Sequence, residues 1–244
     1  MKCPGCGAKY SGKKCPNCGR HTDPQEGSKR ITRIAFIAIV AIFVVVIAYV
    51  LISNYLYFSG INDMIKNIIF DVGDVLLSYR WKYMLMDYGL TETEAVRIGT
   101  EMFDDPEGLW GLLDLGTVPQ QEIIERYCRK YPADEKVIRW FIGHGEYMPV
   151  ARPAVWELVH ELKKQGYGVY LLSNYSEELF KKHTEYADFM NDIDGLIVSY
   201  MVHKAKPDPA IYAALCEKYE LNPSECLFFD DRLENVQAAI SYGM

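Results

Sequence analysis

Cysteine is scarce after residue 18: only Cys128, Cys216 and Cys226 follow, out of seven in the 244-residue chain. An odd total with four members crowded at the front excludes a disulfide framework. The three later thiols read as small buried apolar residues. Excess positive charge is missing from residues 64–244, which hold 18 Lys/Arg against 30 Asp/Glu. That balance repels polyphosphate and excludes nucleic acid as a partner of this segment. Internal repeats are absent, so no repeat architecture is expected. With 50% hydrophobic and 24% charged residues, wholesale disorder is excluded as well.

Charge is absent altogether from Ile34 to Phe58, the run IAFIAIVAIFVVVIAYVLISNYLYF. As a helix these residues would extend about 37 Å, enough to cross a hydrocarbon layer of about 30 Å with some tilt. Tyr49, Tyr55 and Tyr57 near its far end suit a membrane interface. A signal peptide would be shorter and start nearer residue 1, and a buried core helix would show a polar face. A transmembrane helix over 34–58 is therefore expected, with membrane lipid as its surroundings. Residues 21–33 form a basic linker before it, ending in Lys29, Arg30 and Arg33, whereas only Lys66 lies close behind the run. The positive flank stays inside, so a single-pass protein with a cytoplasmic N-terminus and residues 60–244 outside is expected. Met64-Ile65-Lys66-Asn67 also looks like a natural start for a soluble protein, and the body expressed alone would be cytoplasmic.

The front of the chain, residues 1–20, reads Cys3-Pro-Gly-Cys6-Gly and then Cys15-Pro-Asn-Cys18-Gly. Each turn can aim two thiolates at one cation, and four sulfurs in a tetrahedral set suit Zn²⁺. A redox Cys-x-x-Cys would sit at a strand–helix junction, and no periodic segment surrounds these turns. The module resembles the small zinc ribbons at bacterial protein N-termini. Four Cys ligands leave no open position, so the zinc would be structural and the module a fold or partner-binding element.

Residues 64–244 alternate short apolar runs with amphipathic stretches. Ile65–Phe70, Gly168–Leu172, Leu196–Val198 and Leu227–Phe229 read as strands. Ala154–Gln165 carries Val155, Leu158, Val159 and Leu162 on one helical face. This alternation predicts an α/β fold, a Rossmann-like parallel sheet covered by helices. Between about Tyr79 and Val150 no strand is evident and the chain reads helical, with breaks at Pro106–Gly108, Gly116 and Pro132.

Each strand ends in chemistry. Ile68-Ile69-Phe70 runs into Asp71-Val72-Gly73-Asp74-Val75, and Leu171-Leu172 into Ser173-Asn174. Lys204 and Lys206 precede Pro207-Asp208-Pro209, and Leu227-Phe228-Phe229 ends in Asp230-Asp231, with Arg232 and Asn235 beyond. Parallel sheets place ligands at such strand tips. Asp230-Asp231 could merely cap the following helix, but two adjacent carboxylates closing an apolar strand are costly without a cation.

This ordered set resembles the haloacid dehalogenase-like (HAD) hydrolase superfamily, from Met64 to the end of the chain. The resemblance implies a helical cap, at about residues 80–150, inserted after the first motif. It implies Asp71 as nucleophile forming an aspartyl-phosphate. It implies Mg²⁺ held by Asp71, Asp231 and the carbonyl of Gly73, with Asp230 in support. Ser173 and the backbone N–H of Asn174 would bind phosphoryl oxygens, and Lys206 would neutralise developing charge. Lys206-Pro207-Asp208-Pro209 matches the family pattern better than Lys204 does. Asn235 stands where many members carry a further acid and is expected behind the metal. His144, His160, His183 and His203 match no motif and are expected at the surface or in packing. Trp81, Tyr83, Trp110 and Trp140 are expected to pack the cap rather than line a pocket.

Two departures shape the functional expectation. Most phosphatases of this family carry a second Asp two residues after the nucleophile, as general acid and base; here Gly73 stands there. The chain thus resembles an Asp-x-Gly subgroup that includes sugar-phosphate phosphatases. A small phosphorylated metabolite, a sugar phosphate with a good leaving group, is the expected substrate. The alternatives are a metal-independent dehalogenase, which the Asp230-Asp231 pair opposes, and a non-catalytic membrane-anchored zinc-ribbon interaction protein with a remnant HAD core. Second, the chain ends directly after the helix following Asp231, where family members continue with an edge strand and helix. A truncated C-terminus and a sheet one strand short are expected.

Overall fold

The computed structural model describes residues 65–244 and, before them, only Ala8, Lys9, Ser11, Asn17, Tyr49, Val50, Ile52 and Ser53. The zinc ligands Cys3, Cys6, Cys15 and Cys18, the basic linker and the expected transmembrane run lie outside the described residues or nearly so. No helix among the described residues is long and apolar enough to cross a membrane.

Strand β1 (Asn67–Phe70) is followed by β2 (Leu77–Tyr79), which leads out of the core into a helical segment. That segment comprises α1 (Trp81–Tyr88), α2 (Glu92–Phe103), α3 (Leu109–Leu115), α4 (Gln120–Lys130) and α5 (Glu135–Gly143). Strand β3 (Pro149–Ala151) leads back, antiparallel to β2, with Leu77 opposite Ala151. The chain then alternates: α6 (Pro153–Lys164), β4 (Gly168–Ser173), α7 (Glu177–Thr184), β5 (Gly195–Val198), α8 (Ser199–Val202), α9 (Pro209–Tyr219), β6 (Cys226–Phe229) and α10 (Leu233–Tyr242). The fold is thus α/β, with a parallel sheet and covering helices.

The parallel sheet has the order β5-β4-β1-β6. Successive side chains along a strand face opposite ways, and β1 shows the consequence. Ile68 and Phe70 join the core cluster that also takes in Val159, Leu162 and the helical segment. Ile69 joins a second cluster with Ile211, Tyr212, Leu215 and Ala239 from α9 and α10. A sheet buried on both faces reads as uninterrupted apolar runs, which is how its strands look in the sequence. The chain leaves β1 toward β4 and β5 and returns on the other side as β6. The order therefore reverses between β1 and β6, where open α/β sheets leave a crevice for ligands.

Two strands were not legible. β2 and β3 have three residues each, too few for an alternating pattern, and they bracket the segment expected to hold no strand. Within the helical segment, α2 is started by a reciprocal cap: Glu94 N–H donates to Thr91 Oγ1 and Thr91 N–H to Glu94. Gly99 on α2 has a specific use. A Cβ there would lie 2.3 Å from the Trp81 ring, so only glycine lets the indole approach α2 this closely.

Candidate active site

The tips of β1 and β6 meet first. Asp71 follows β1, and its backbone N–H donates to Phe229 O at 2.8 Å, extending the ladder by one rung. Its side chain is buried, and the hydrogen bonds to it fall on Oδ1: Val72 N–H at 2.7 Å and Ser173 Oγ at 2.6 Å. Lys206 Nζ lies 3.0 Å from the same oxygen. Lys206 is only 5% exposed, which for a lysine demands partners. It has them: Leu172 O at 2.8 Å and Asp230 Oδ2 at 2.6 Å. Asn174 holds the lysine's loop through a reciprocal pair, its Nδ2 donating to Lys206 O at 2.9 Å and its Oδ1 accepting from Lys206 N–H at 2.8 Å. Sequence reasoning gave Asn174 a backbone role; its side chain has this second one. Lys204 is exposed.

The four separated motifs are thus brought together. Carboxylate oxygens of Asp71, Asp230 and Asp231 all lie within 4.8 Å of one another. Burial, above all, raises the Asp71 carboxyl above its usual range; Asp230 adds to this, while Lys206 and Ser173 oppose it. Burial likewise raises Asp231, helped by Asp71 and Asp230. Carboxylates outnumber the ammonium here, and the cluster favours a further cation. The donor set fits Mg²⁺: hard oxygens, with an exposed Asp231 left open to water. Asp230 is less available, since Oδ2 takes Lys206 and Oδ1 takes Arg232 N–H at 2.8 Å and Asn235 Nδ2 at 2.9 Å. Asn235 is buried, and its own Oδ1 has no hydrogen-bond partner. A buried acceptor without a donor beside this cluster suits the hydration shell of a bound cation. The residues that would hold the ion are Asp71, Asp231 and the Gly73 carbonyl, with Asp230 and Asn235 supporting them.

Above the strand tips lies a cavity of about 560 Å³. Its floor includes Asp71, Ser173, Lys206 and Asp231, and its walls include Trp81, Phe103, Trp110 and Asp114 from the helical segment. Trp81 and Trp110 therefore line the cavity, and they also pack edge-on against Phe103 at 5.4 and 4.7 Å. Trp140 stands apart, against Tyr88 and His144, and Tyr83 is exposed. The expectation that these aromatics only pack the cap is corrected for Trp81 and Trp110.

Among the lining residues that carried no motif are Tyr79, Asp114, Tyr175 and His183. Burial pushes Asp114 up to about 7, with the Ser176 backbone N–H opposing and Asp71 reinforcing the shift. Tyr79 crowds Gly73, where an added Cβ would meet the phenol oxygen at 2.8 Å. Tyr79 is hydrogen-bonded to Tyr175, which bonds His183 Nδ1 at 2.9 Å, and His183 Nε2 reaches Gly145 O at 2.8 Å. His183 is thus a cavity residue beyond the packing role expected of it. Of the other histidines among the described residues, His160 pairs with Asp192, His203 with Leu115 O, and His144 with Trp140 O.

Comparison with known proteins agrees with this geometry. The chain is 28% identical over 195 residues to the phosphatase MT3486 of Mycobacterium tuberculosis (strain CDC 1551 / Oshkosh), spanning 74% of this chain and 85% of that protein. It is 27% identical over 181 residues to the sesquiterpene phosphatase astK of Aspergillus oryzae, spanning 73% and 87%. Among solved structures, a HAD family enzyme of Bacteroides thetaiotaomicron in complex with magnesium and inorganic phosphate superposes with a TM-score of 0.58 at 24% identity, covering 74% of this chain and 91% of that one. The family model for haloacid dehalogenase-like hydrolases matches residues 65–243. The chain therefore belongs to the haloacid dehalogenase-like hydrolases, and its body is an enzyme.

Proposed function

We propose that this hydrolase is a Mg²⁺-dependent phosphatase that cleaves a small phosphomonoester, a sugar phosphate, through an aspartyl-phosphate on Asp71. The observation that carries the proposal is the division of labour on one carboxylate. Oδ1 of Asp71 is engaged by Val72, Ser173 and Lys206, so the second oxygen is left for a cation or a phosphorus atom.

Bound Mg²⁺ would draw charge from the phosphoryl oxygens and let two anions approach. The remaining work belongs to the chain. Ser173 exchanges its hydrogen bond from Asp71 to a phosphoryl oxygen as the ester arrives. Lys206, fixed by Leu172 O and Asp230, supplies a preorganised positive charge to the transition state. Asn174 keeps that lysine's loop from drifting. The cavity walls suit a hydroxylated ring: aromatic faces at Trp81 and Trp110 stand with carboxyls at Asp104 and Asp114. The two phosphatases compared above support ester cleavage over carbon–halogen cleavage. The apolar run 34–58 would tether the body to membrane lipid, with the zinc ribbon on the cytoplasmic side.

The test is turnover of a panel of phosphate esters by the purified protein with and without Mg²⁺, with Asp71→Asn as control. Phosphate release that needs both Asp71 and Mg²⁺ is expected. Release indifferent to Asp71 overturns the proposal, and halide release from a 2-haloacid without Mg²⁺ replaces it with dehalogenation.

A further inference from the structure

The hydrogen bonds running from the cavity to Gly145 have a direction that chemistry fixes. A carbonyl only accepts, so the contact of His183 Nε2 with Gly145 O, at 2.8 Å, puts a hydrogen on Nε2. Burial lowers the His183 imidazole to about 4, so the ring is neutral at ordinary pH and Nδ1 is bare. Nδ1 must accept, and its partner at 2.9 Å is the Tyr175 hydroxyl, which spends its one hydrogen there. Between Tyr175 and Tyr79 the donor is then Tyr79. The phenol of Tyr79 has no hydrogen left for the cavity and offers it lone pairs only.

That oxygen stands at a chosen place. It lies 2.8 Å from where a Cβ on residue 73 would be, two positions after Asp71 and beside the floor of the cavity. Residue 73 has no side chain, and the Tyr79 phenol stands where one would be, with Asp74 as the neighbouring lining residue. An acceptor with a committed hydrogen cannot protonate a leaving oxygen. It can hold an O–H donor, and the donor needed once the first alcohol has left is water.

We propose that Tyr79 is a positioning residue for the second half of the reaction, its phenol oxygen accepting a hydrogen bond from the water that attacks the aspartyl-phosphate. The inference rests on the reading of Asp71 as the phosphorylated residue. In the step, the water oxygen forms a bond to phosphorus and the bond between phosphorus and the Asp71 oxygen breaks, its electron pair returning to the carboxylate. One water hydrogen stays on the attacking oxygen and the other passes to a phosphoryl oxygen, so the products are the Asp71 carboxylate and dihydrogen phosphate. Tyr79 takes no proton; its own remains on the bond to Tyr175. Aim, rather than basicity, is what the tyrosine contributes.

The test uses the full chain, Mg²⁺ and p-nitrophenyl phosphate, whose leaving group needs no protonation. Tyr79→Phe is expected to release the first equivalent of nitrophenol as fast as the parent and then to turn over about 10- to 100-fold more slowly, the loss of one well-placed hydrogen bond. That burst, with acid-stable phosphate accumulating on Asp71, is a signature that a merely structural role would not produce. Tyr175→Phe frees the Tyr79 hydrogen to swing toward the cavity, and a smaller burst is expected. A Tyr79→Phe variant with no burst, whether because both phases slow equally or because neither slows, overturns the proposal. So does a raised KM with unchanged kcat, which would assign the phenol to a substrate hydroxyl. Turnover that survives Asp71→Asn is a different failure, that of the underlying reading.

Discussion

The Lys206 ammonium lies 2.6 Å from Asp230 and 3.0 Å from Asp71, so one buried cation joins the tip of β6 to the tip of β1. Its worth is clearest by removal. Lys206→Met leaves two carboxylates at the strand tips without their counter-charge, and breaking a buried pair in this way typically costs about 3–5 kcal/mol. The variant is expected to unfold at lower temperature, with a larger loss in EDTA than in Mg²⁺, because the ion replaces part of the missing charge. Its kcat is expected to fall by at least about 100-fold. Calorimetry in the two buffers and steady-state kinetics check this; equal losses in both would mean that a bound cation does not offset the charge that Lys206 supplies.

Mg²⁺ should stabilise the protein by mass action. A ligand present at about a hundred times its Kd adds about 2.7 kcal/mol. Asp231 is exposed and so is a mild place to interfere. Asp231→Asn is expected to leave the metal-free melting temperature nearly unchanged and to abolish most of the rise seen on adding Mg²⁺. A rise of the same size in the variant would remove Asp231 from the ligand set.

Much of this site can be read in the chain because parallel strands write their own ends. Ile68-Ile69-Phe70 and Leu227-Phe228-Phe229 are apolar up to the residue where the carboxylates begin, and the break marks the strand tip. Ser173 closes β4 at a similar break, whereas Lys206 lies beyond α8 and is marked by the Pro207-Asp208-Pro209 that follows it. The cavity's upper half is different. Tyr79 and Tyr175 are 96 residues apart, and His183 meets Gly145 across 38. Such pairs are made by the packing of α7 against the base of the cap, with no spacing to betray them. Trp81 and Trp110 look like any packing aromatics in the sequence, and only the fold shows that they line the cavity. β2 and β3 escape notice because three residues carry no period.

Restoring the absent acid should do harm. At Gly73, any side chain meets the Tyr79 phenol, and that phenol is tied through Tyr175 to His183, so it cannot swing aside freely. Gly73→Asp is expected to lose about 1–3 kcal/mol of stability, as overpacked sites do, and to turn over p-nitrophenyl phosphate more slowly than the parent. Denaturant midpoints and kinetics measure both. A Gly73→Asp variant that is faster and equally stable would mean that the tyrosine yields at no cost.

Asp114 gives stability a pH dependence whose sign can be worked out. Its carboxyl is pushed up to about 7 in the fold, chiefly by burial, against an ordinary value of 3.8. Between about pH 4 and pH 7 the folded protein keeps a proton that the unfolded chain has released, so stability falls as pH rises through this window. Below it both states are protonated and the full contribution is present; above it both are ionised and the loss is complete. The size is at most about 4 kcal/mol, the energy equivalent of a displacement this large. Asp71, Tyr127 and Tyr175 are the titratable groups that share its field, and the tyrosines stay neutral across the window. Asp114→Asn removes the titrating proton and should flatten the curve. Denaturant unfolding in EDTA at pH 5 and pH 8 is the measurement, with EDTA keeping cations away from Asp71. The parent is expected to lose more stability than Asp114→Asn on going from pH 5 to pH 8. Equal losses would mean that the Asp114 carboxyl is solvated and titrates like any surface acid.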